Sequence, residues 1–213
     1  ASWWHLRDFP LQLDGEEGFV LDEALKLARG ELIYRPIDTP PHLVGNHPPL
    51  YPALYGLAHR IVLGERARPA SLPLGRLIAQ LSALVAALAV GGVAWRLSRS
   101  AAVAVLAALL LASGWEFNHW GHFARVDLTS VALSVAGLWV AAVARRPLHW
   151  MAAALVLVAA GYTRQTAVAA PLAVALALVT GRSWRAAGWF IGTYAAVGLA
   201  LLLVLQLLTR GEF

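Results

Sequence analysis

Residues 74–95 read LGRLIAQLSALVAALAVGGVAW, from Leu74 to Trp95. A helix needs about 20 mostly apolar residues to cross roughly 30 Å of hydrocarbon. This stretch therefore predicts a membrane span. Working outward, similar runs follow at Ala101 to Trp115 (fraying into Glu116 to Asp127), Leu128 to Ala144, Trp150 to Thr163, Thr166 to Thr180 and Ala186 to Leu208. Of the 213 residues, 59% are hydrophobic and 14% charged, which is too apolar for a soluble domain of this size. The expectation is an all-α, polytopic transmembrane helical bundle over residues 74–213, with about six spans. A polar outer loop, residues 1–73, precedes it.

Charge divides the breaks between the runs into two classes. One class holds Arg96 with Arg99, Arg145 with Arg146, and Arg182 with Arg185, and no acid. The other holds Glu116, Arg125, Asp127, Arg164, Arg210 and Glu212. All twelve acids fall in this second class or before Pro73. Cytoplasmic loops collect Lys and Arg, so the first class is expected inside and the acidic segment outside. An outside start implies an upstream span that this chain lacks, so a fragment of a longer protein is expected. Trp150 to Thr180 reads as two short runs: one long helix would put Arg164 at mid-bilayer, which is expensive. The turn Thr163-Arg164-Gln165 then reaches the outer side.

The net charge of +5 is spread as pairs between apolar runs, not as a patch with interleaved aromatics, so no nucleic-acid partner is expected. There is no Cys, hence no disulfide framework and no thiolate metal site. No signal-peptide order of basic then apolar residues opens the chain.

The outer segment carries the chemistry. Trp3 and Trp4 suit an interfacial anchor. Leu13-Asp14-Gly15-Glu16-Glu17-Gly18 places three carboxylates within four residues. Asp14 or Glu16 could cap the following helix, Phe19 to Arg29, whose Leu21, Leu25 and Ala28 share a face. Capping accounts for one acid, not three, since crowded like charges repel and raise each other's pKa. Tyr34 to Pro49 is a proline-rich loop. Leu50 to Leu63 predicts a second short helix whose stripe Leu50, Leu54, Leu57 and Ile61 lies on the membrane surface. Arg66, Arg68, Pro69 and Pro73 link it to the bilayer.

Three features converge on the outer face: Asp14, Glu16 and Glu17; Arg125-Val126-Asp127; and Arg164. A carboxylate serves as general base toward a hydroxyl or amine. An arginine holds a phosphate bidentately and stabilises it as a leaving group. The plainer alternatives are a local Arg125–Asp127 ion pair and snorkelling of Arg164. His42, His47, His119 and His122 could join the acids around a divalent metal, but their spacing matches no tight ligand motif. No cofactor is therefore expected.

Glu17-Gly18-Phe19-Val20-Leu21-Asp22, Leu27-Ala28-Arg29-Gly30-Glu31, Tyr34-Arg35 and Asn46-His47-Pro48-Pro49-Leu50-Tyr51-Pro52 resemble the first outer loop of bacterial membrane glycosyltransferases of the GT-C superfamily. Within that superfamily the stretches look like polyprenyl-phosphate-sugar-dependent enzymes akin to protein mannosyltransferases and aminoarabinose transferases. Arg125-Val126-Asp127-Leu128 and Thr163-Arg164-Gln165-Thr166, with Pro171 following, resemble later segments of that group.

The resemblance implies sugar transfer from a polyprenyl-phosphate donor to a glycan, lipid or protein acceptor. Glu17 is the favoured base, with Glu16 and Asp14 behind it and Asp127 orienting substrate. Arg125 and Arg164 contact the donor phosphate, and His47 and Tyr51 bind substrate. The family's loop usually has an Asp-Glu pair before Gly, where this chain has Glu16-Glu17 before Gly18. The chain would be the N-terminal half at most. Its Arg-, Ala- and Leu-rich usage suits a GC-rich bacterium, so a multi-pass inner-membrane location is expected, with the site on the periplasmic face. The competing expectations are a transporter or flippase for an anionic or lipid-linked solute, built on the broken helix pair, and a non-catalytic membrane subunit.

Overall fold

A computed structural model describes residues 8–36, 38, 40, 45–64 and 71–213. Trp3, Trp4, His42, Arg66, Arg68 and Pro69 lie outside the described residues. Among the described residues there are nine α-helices and no strand: α1 Gly15–Ala28, α2 Leu50–Val62, α3 Ser71–Ser98, α4 Ala101–Ser113, α5 Trp115–Trp120, α6 Val126–Val143, α7 Pro147–Thr163, α8 Ala169–Thr180 and α9 Trp184–Leu208.

Helices α3, α6 and α9 are long and apolar enough to cross a membrane, while α4, α7 and α8 are shorter apolar helices. Their outer surfaces carry leucines such as Leu84, Leu88, Leu109, Leu172 and Leu203, all largely exposed. Helices whose apolar side chains point outward are built for lipid, so this is a membrane protein. The long reading of Trp150 to Thr180 does not occur: residues 164–168 form a turn between α7 and α8.

Helix α6 lies between α3 and α7, and α9 packs on α7 and α8. Without a hydrophobic drive between helices in lipid, close approach of small residues supplies the contact. A Cβ on Gly92 of α3 would strike the Trp139 ring, and one on Gly137 of α6 would strike Leu157 of α7. Among the described residues, polar contacts between these helices include Ser82 Oγ with Thr129 Oγ1 at 2.8 Å, Tyr162 donating to the Gly198 carbonyl at 2.7 Å and Ser130 donating to the Ala160 carbonyl at 3.4 Å.

The polar segment folds onto one end of this bundle. Asp14 caps α1, with Glu16 and Glu17 in its first turn. Gly30, at φ 76°, takes the left-handed conformation that ends α1, and Glu31 N–H returns to the Lys26 carbonyl. Pro49 is the N-cap of α2, and Pro52 sits in the first turn where no helical N–H is needed. It crosses α1 at Gly56, where a Cβ would lie 2.4 Å from the Ala24 carbonyl oxygen. The stripe Leu50, Leu54, Leu57 and Ile61 faces outward, exposed, as a surface-lying helix requires. Its opposite face buries Tyr51, Tyr55 and His59.

The buried face of α1 differs from the sequence expectation. Leu21, Leu25 and Ala28 are half-buried, whereas Glu17, Val20, Glu23 and Ala24 are enclosed. The inward stripe of α1 thus includes two carboxylates, each held by partners from elsewhere in the chain.

Candidate functional site

The site begins with a cap. Asp14 has extended backbone, and its Oδ2 accepts from Glu16 N–H, a long bond of 3.4 Å. The same oxygen accepts from Nη1 of Arg125 at 2.6 Å. Capping and clustering are therefore served by one carboxylate. Arg125 stands at the N-cap of α6, and its extended backbone aims the side chain back over α1.

Arg125 is the hub. Its Nη2 lies 2.5 Å from Glu16 Oε2, and its Nε donates to Asp127 Oδ2 at 2.9 Å. Its guanidinium carbon sits 4.5 Å above the Trp120 ring, which is itself held by an Nε1–H bond to Glu116 at 2.9 Å. On the far side of Asp127, Oδ1 pairs with Arg164, whose Nε also reaches Thr166 Oγ1 at 3.1 Å. Three carboxylates and two guanidiniums thus meet where α1, α6 and the α7–α8 turn converge. Glu16 and Arg164 are 46% and 44% exposed, while Arg125 and Asp127 are 13% and 18%, so the cluster has an open rim and a covered centre.

Behind it lies a second, closed ion pair. Arg76 of α3 donates from Nε to Glu17 Oε1 and from Nη2 to Glu17 Oε2, both at 2.9 Å, with neither side chain reaching solvent. Arg76 also donates to the carbonyls of Phe9 (2.7 Å) and Leu11 (2.8 Å). Glu17 accepts two further bonds, from Ala124 N–H at 2.8 Å and Leu13 N–H at 2.7 Å. Burial by itself would push the Glu17 carboxyl up. The Arg76 bonds and the two backbone N–H groups outweigh it, and the pKa lies below the usual value of 4.5.

This geometry changes the ranking of the three acids. Glu17, first in the sequence reading as base, has no access to solvent and has both oxygens occupied. It suits a fixed structural charge. Because it grips the backbone of Ala124, it also sets the position of Arg125 one residue later. Of the cluster's carboxylates, Glu16 and Asp14 are the more accessible, and Asp127 is largely covered.

His47 and Tyr51 lie apart from the cluster. His47 Nδ1 is 3.2 Å from Glu23 Oε2, Glu23 Oε1 accepts from Asn46 N–H at 2.9 Å, and Tyr34 donates to the His47 carbonyl at 2.7 Å. Tyr51 is completely buried beside Val20, Ala24 and Tyr55, and its hydroxyl has no hydrogen-bond partner among the described residues. A substrate contact for Tyr51 is therefore set aside: nothing entering from outside reaches it. His119 stacks on Trp115 at 5.6 Å and meets Trp120 edge-on at 4.8 Å, the aromatic surroundings of an interfacial belt. Among the described residues no group of three or more His, Asp or Glu is disposed to hold a metal ion.

Sequence reasoning missed Arg76, Glu23 and Trp120. Only Arg76 left a usable signal: a lone arginine inside a span is expensive and announces a partner. No protein-family model, curated protein or solved structure matches the chain.

Proposed function

We propose that the chain is part of a membrane glycosyltransferase that moves a sugar from a polyprenyl-phosphate donor to a hydroxyl or amine acceptor. The observation that carries the reading is the meeting of Asp14, Glu16, Arg125, Asp127 and Arg164 in one cluster at a membrane-helix end. The likeness of the outer loop to GT-C glycosyltransferases supports the reaction class. In the reaction the acceptor oxygen bonds to the anomeric carbon while the bond from that carbon to the phosphate oxygen breaks. The acceptor proton goes to a carboxylate, and the lipid phosphate leaves with the bonding electron pair, its negative charge stabilised by an arginine.

The Arg164–Asp127 pair links these two needs. A donor phosphate that draws Arg164 away from Asp127 frees a carboxylate beside the reacting atoms. Asp127 then takes the acceptor proton, with Asp14 as its alternate, and Arg125 keeps the carboxylates together. Glu17 and Arg76 hold the frame. By the distribution of arginines the site faces outward, the periplasmic side of a bacterial inner membrane.

The test uses the full-length protein in membranes with a polyprenyl-phosphate-linked sugar. Asp127→Asn and Arg164→Gln should each abolish transfer while leaving the protein folded. Undiminished transfer in both removes the cluster from catalysis and leaves a non-catalytic subunit as the better reading.

A further inference from the structure

On the other flank of the α7–α8 turn is a cleft of about 270 Å³ lined by Tyr34, Asn46, His47, Gln165, Glu212 and Phe213, among others. Its chemistry differs from that of the charged cluster. Among the described residues that line it, no side chain carries a fixed positive charge. Glu23 backs His47, and Glu212 lies in the wall. Among the described lining residues an anionic ligand would meet the Glu212 carboxylate and no guanidinium, so the cleft favours a neutral one. Phe213 meets the Tyr34 ring edge-on, with centroids 4.9 Å apart, which gives the cleft an apolar ring surface beside its amides.

His47 is oriented for binding. The Glu23 carboxylate lies 3.2 Å from Nδ1 and, being an acceptor, favours a proton there. In the neutral imidazole Nε2 is then a hydrogen-bond acceptor. Asn46 N–H on the second Glu23 oxygen and Tyr34 O–H on the His47 carbonyl fix the loop from both sides. An acceptor nitrogen, amide groups, a carboxylate and aromatic rings converging on a small pocket suit a ligand with hydroxyls on one edge and C–H groups on its faces.

We propose that this cleft binds a neutral carbohydrate, with a sugar hydroxyl donating to His47 Nε2 and Gln165 contacting the ring from the turn. Gln165 follows Arg164, so sugar bound here lies beside the charged cluster. The assignment of this sugar as the acceptor rests on the glycosyltransferase reading. The binding itself does not.

The experiment is saturation-transfer NMR with a panel of methyl hexopyranosides, on the protein in lipid nanodiscs free of glycoside detergents. At least one glycoside should receive saturation, and Gln165→Ala, an exposed turn position, should weaken its affinity about threefold to tenfold. His47→Leu should abolish the signal. In histidine-labelled protein the glycoside should shift the His47 Nε2 resonance, and Glu23→Gln should change its tautomer balance before any ligand is added. Glucose 1-phosphate should not compete. No glycoside binding, binding indifferent to both Gln165→Ala and His47→Leu, or effective competition by the sugar phosphate each overturns the proposal. Glycoside binding without transfer from a polyprenyl-phosphate sugar sinks the enzyme reading alone. Transfer that persists in both variants, without glycoside binding, sinks the cleft alone.

Discussion

Arg76 and Glu17 form two parallel 2.9 Å hydrogen bonds in the interior, 59 residues apart in sequence, and neither touches water. Removing one member of a buried pair strands the other charge, at a cost of about 3–5 kcal/mol. Glu17→Gln and Arg76→Met should therefore each lower the thermal unfolding midpoint strongly. The double variant should lose less than the sum of the two. Scanning fluorimetry in nanodiscs reads this, and additive losses would show that the two side chains act independently.

The same pair makes stability depend on pH. The folded pKa of Glu17 lies below its ordinary value of 4.5, so its contribution is complete above that value. It is lost as pH falls from there through the folded pKa. The stability difference between wild type and Glu17→Gln should be full at about pH 6 and shrink below about pH 4.5. A difference that stays constant into acid would contradict the assigned ion pair.

Arg125 pairs with Asp14, Glu16 and Asp127 at once. Arg125→Gln removes the guanidinium from Asp14 and Glu16 and leaves Asp127 with Arg164 alone. Transfer should fall by about 10²–10³, the loss typical of removing one preorganised electrostatic group from a site. Arg125→Lys keeps the charge but not the planar fork, and should recover only part of the rate. Full recovery with lysine would mean that charge alone matters at this position.

Tyr51 carries a buried hydroxyl without a hydrogen-bond partner among the described residues. Deleting such a group relieves a desolvation penalty. Tyr51→Phe should leave stability unchanged or raise it by up to about 1 kcal/mol, and should not alter substrate affinity. A raised KM in this variant would restore Tyr51 to the substrate contacts.

Sidedness is testable at three positions. A Cβ at Gly15 meets nothing within 4 Å, so Gly15→Cys is tolerated. A membrane-impermeant maleimide added to cells should label Gly15→Cys directly, and Ser98→Cys and Ser183→Cys only after permeabilisation. Labelling in the reverse order would place the acidic cluster in the cytoplasm.

The sequence reading located the helices because their signals are local. Gly30 and Pro49 bound the short helices, and Arg96 to Ser100, Arg145-Arg146 and Gly181 to Arg185 interrupt the apolar runs. It brought Arg125, Asp127 and Arg164 to one end of the bundle because helix number decides the end at which each turn emerges. It misjudged Glu16 and Glu17, since adjacent helical residues point about 100° apart. Glu16 faces Arg125, whereas Glu17 faces Arg76 on another helix. Glu23 was invisible for the same reason: its role depends on His47, 24 residues away across the proline-rich loop.

Run length and charge spacing were enough, in the linear chain, to assign a helical membrane protein. A bilayer leaves the backbone no hydrogen-bond partner but its own segment, and hydrocarbon thickness dictates how long each segment must be. Which carboxylate is sealed and which stays open were decided only when α1 packed against α3 and α6. Those outcomes depend on the facing of side chains from distant segments, and a pattern of neighbours along the chain contains no record of it.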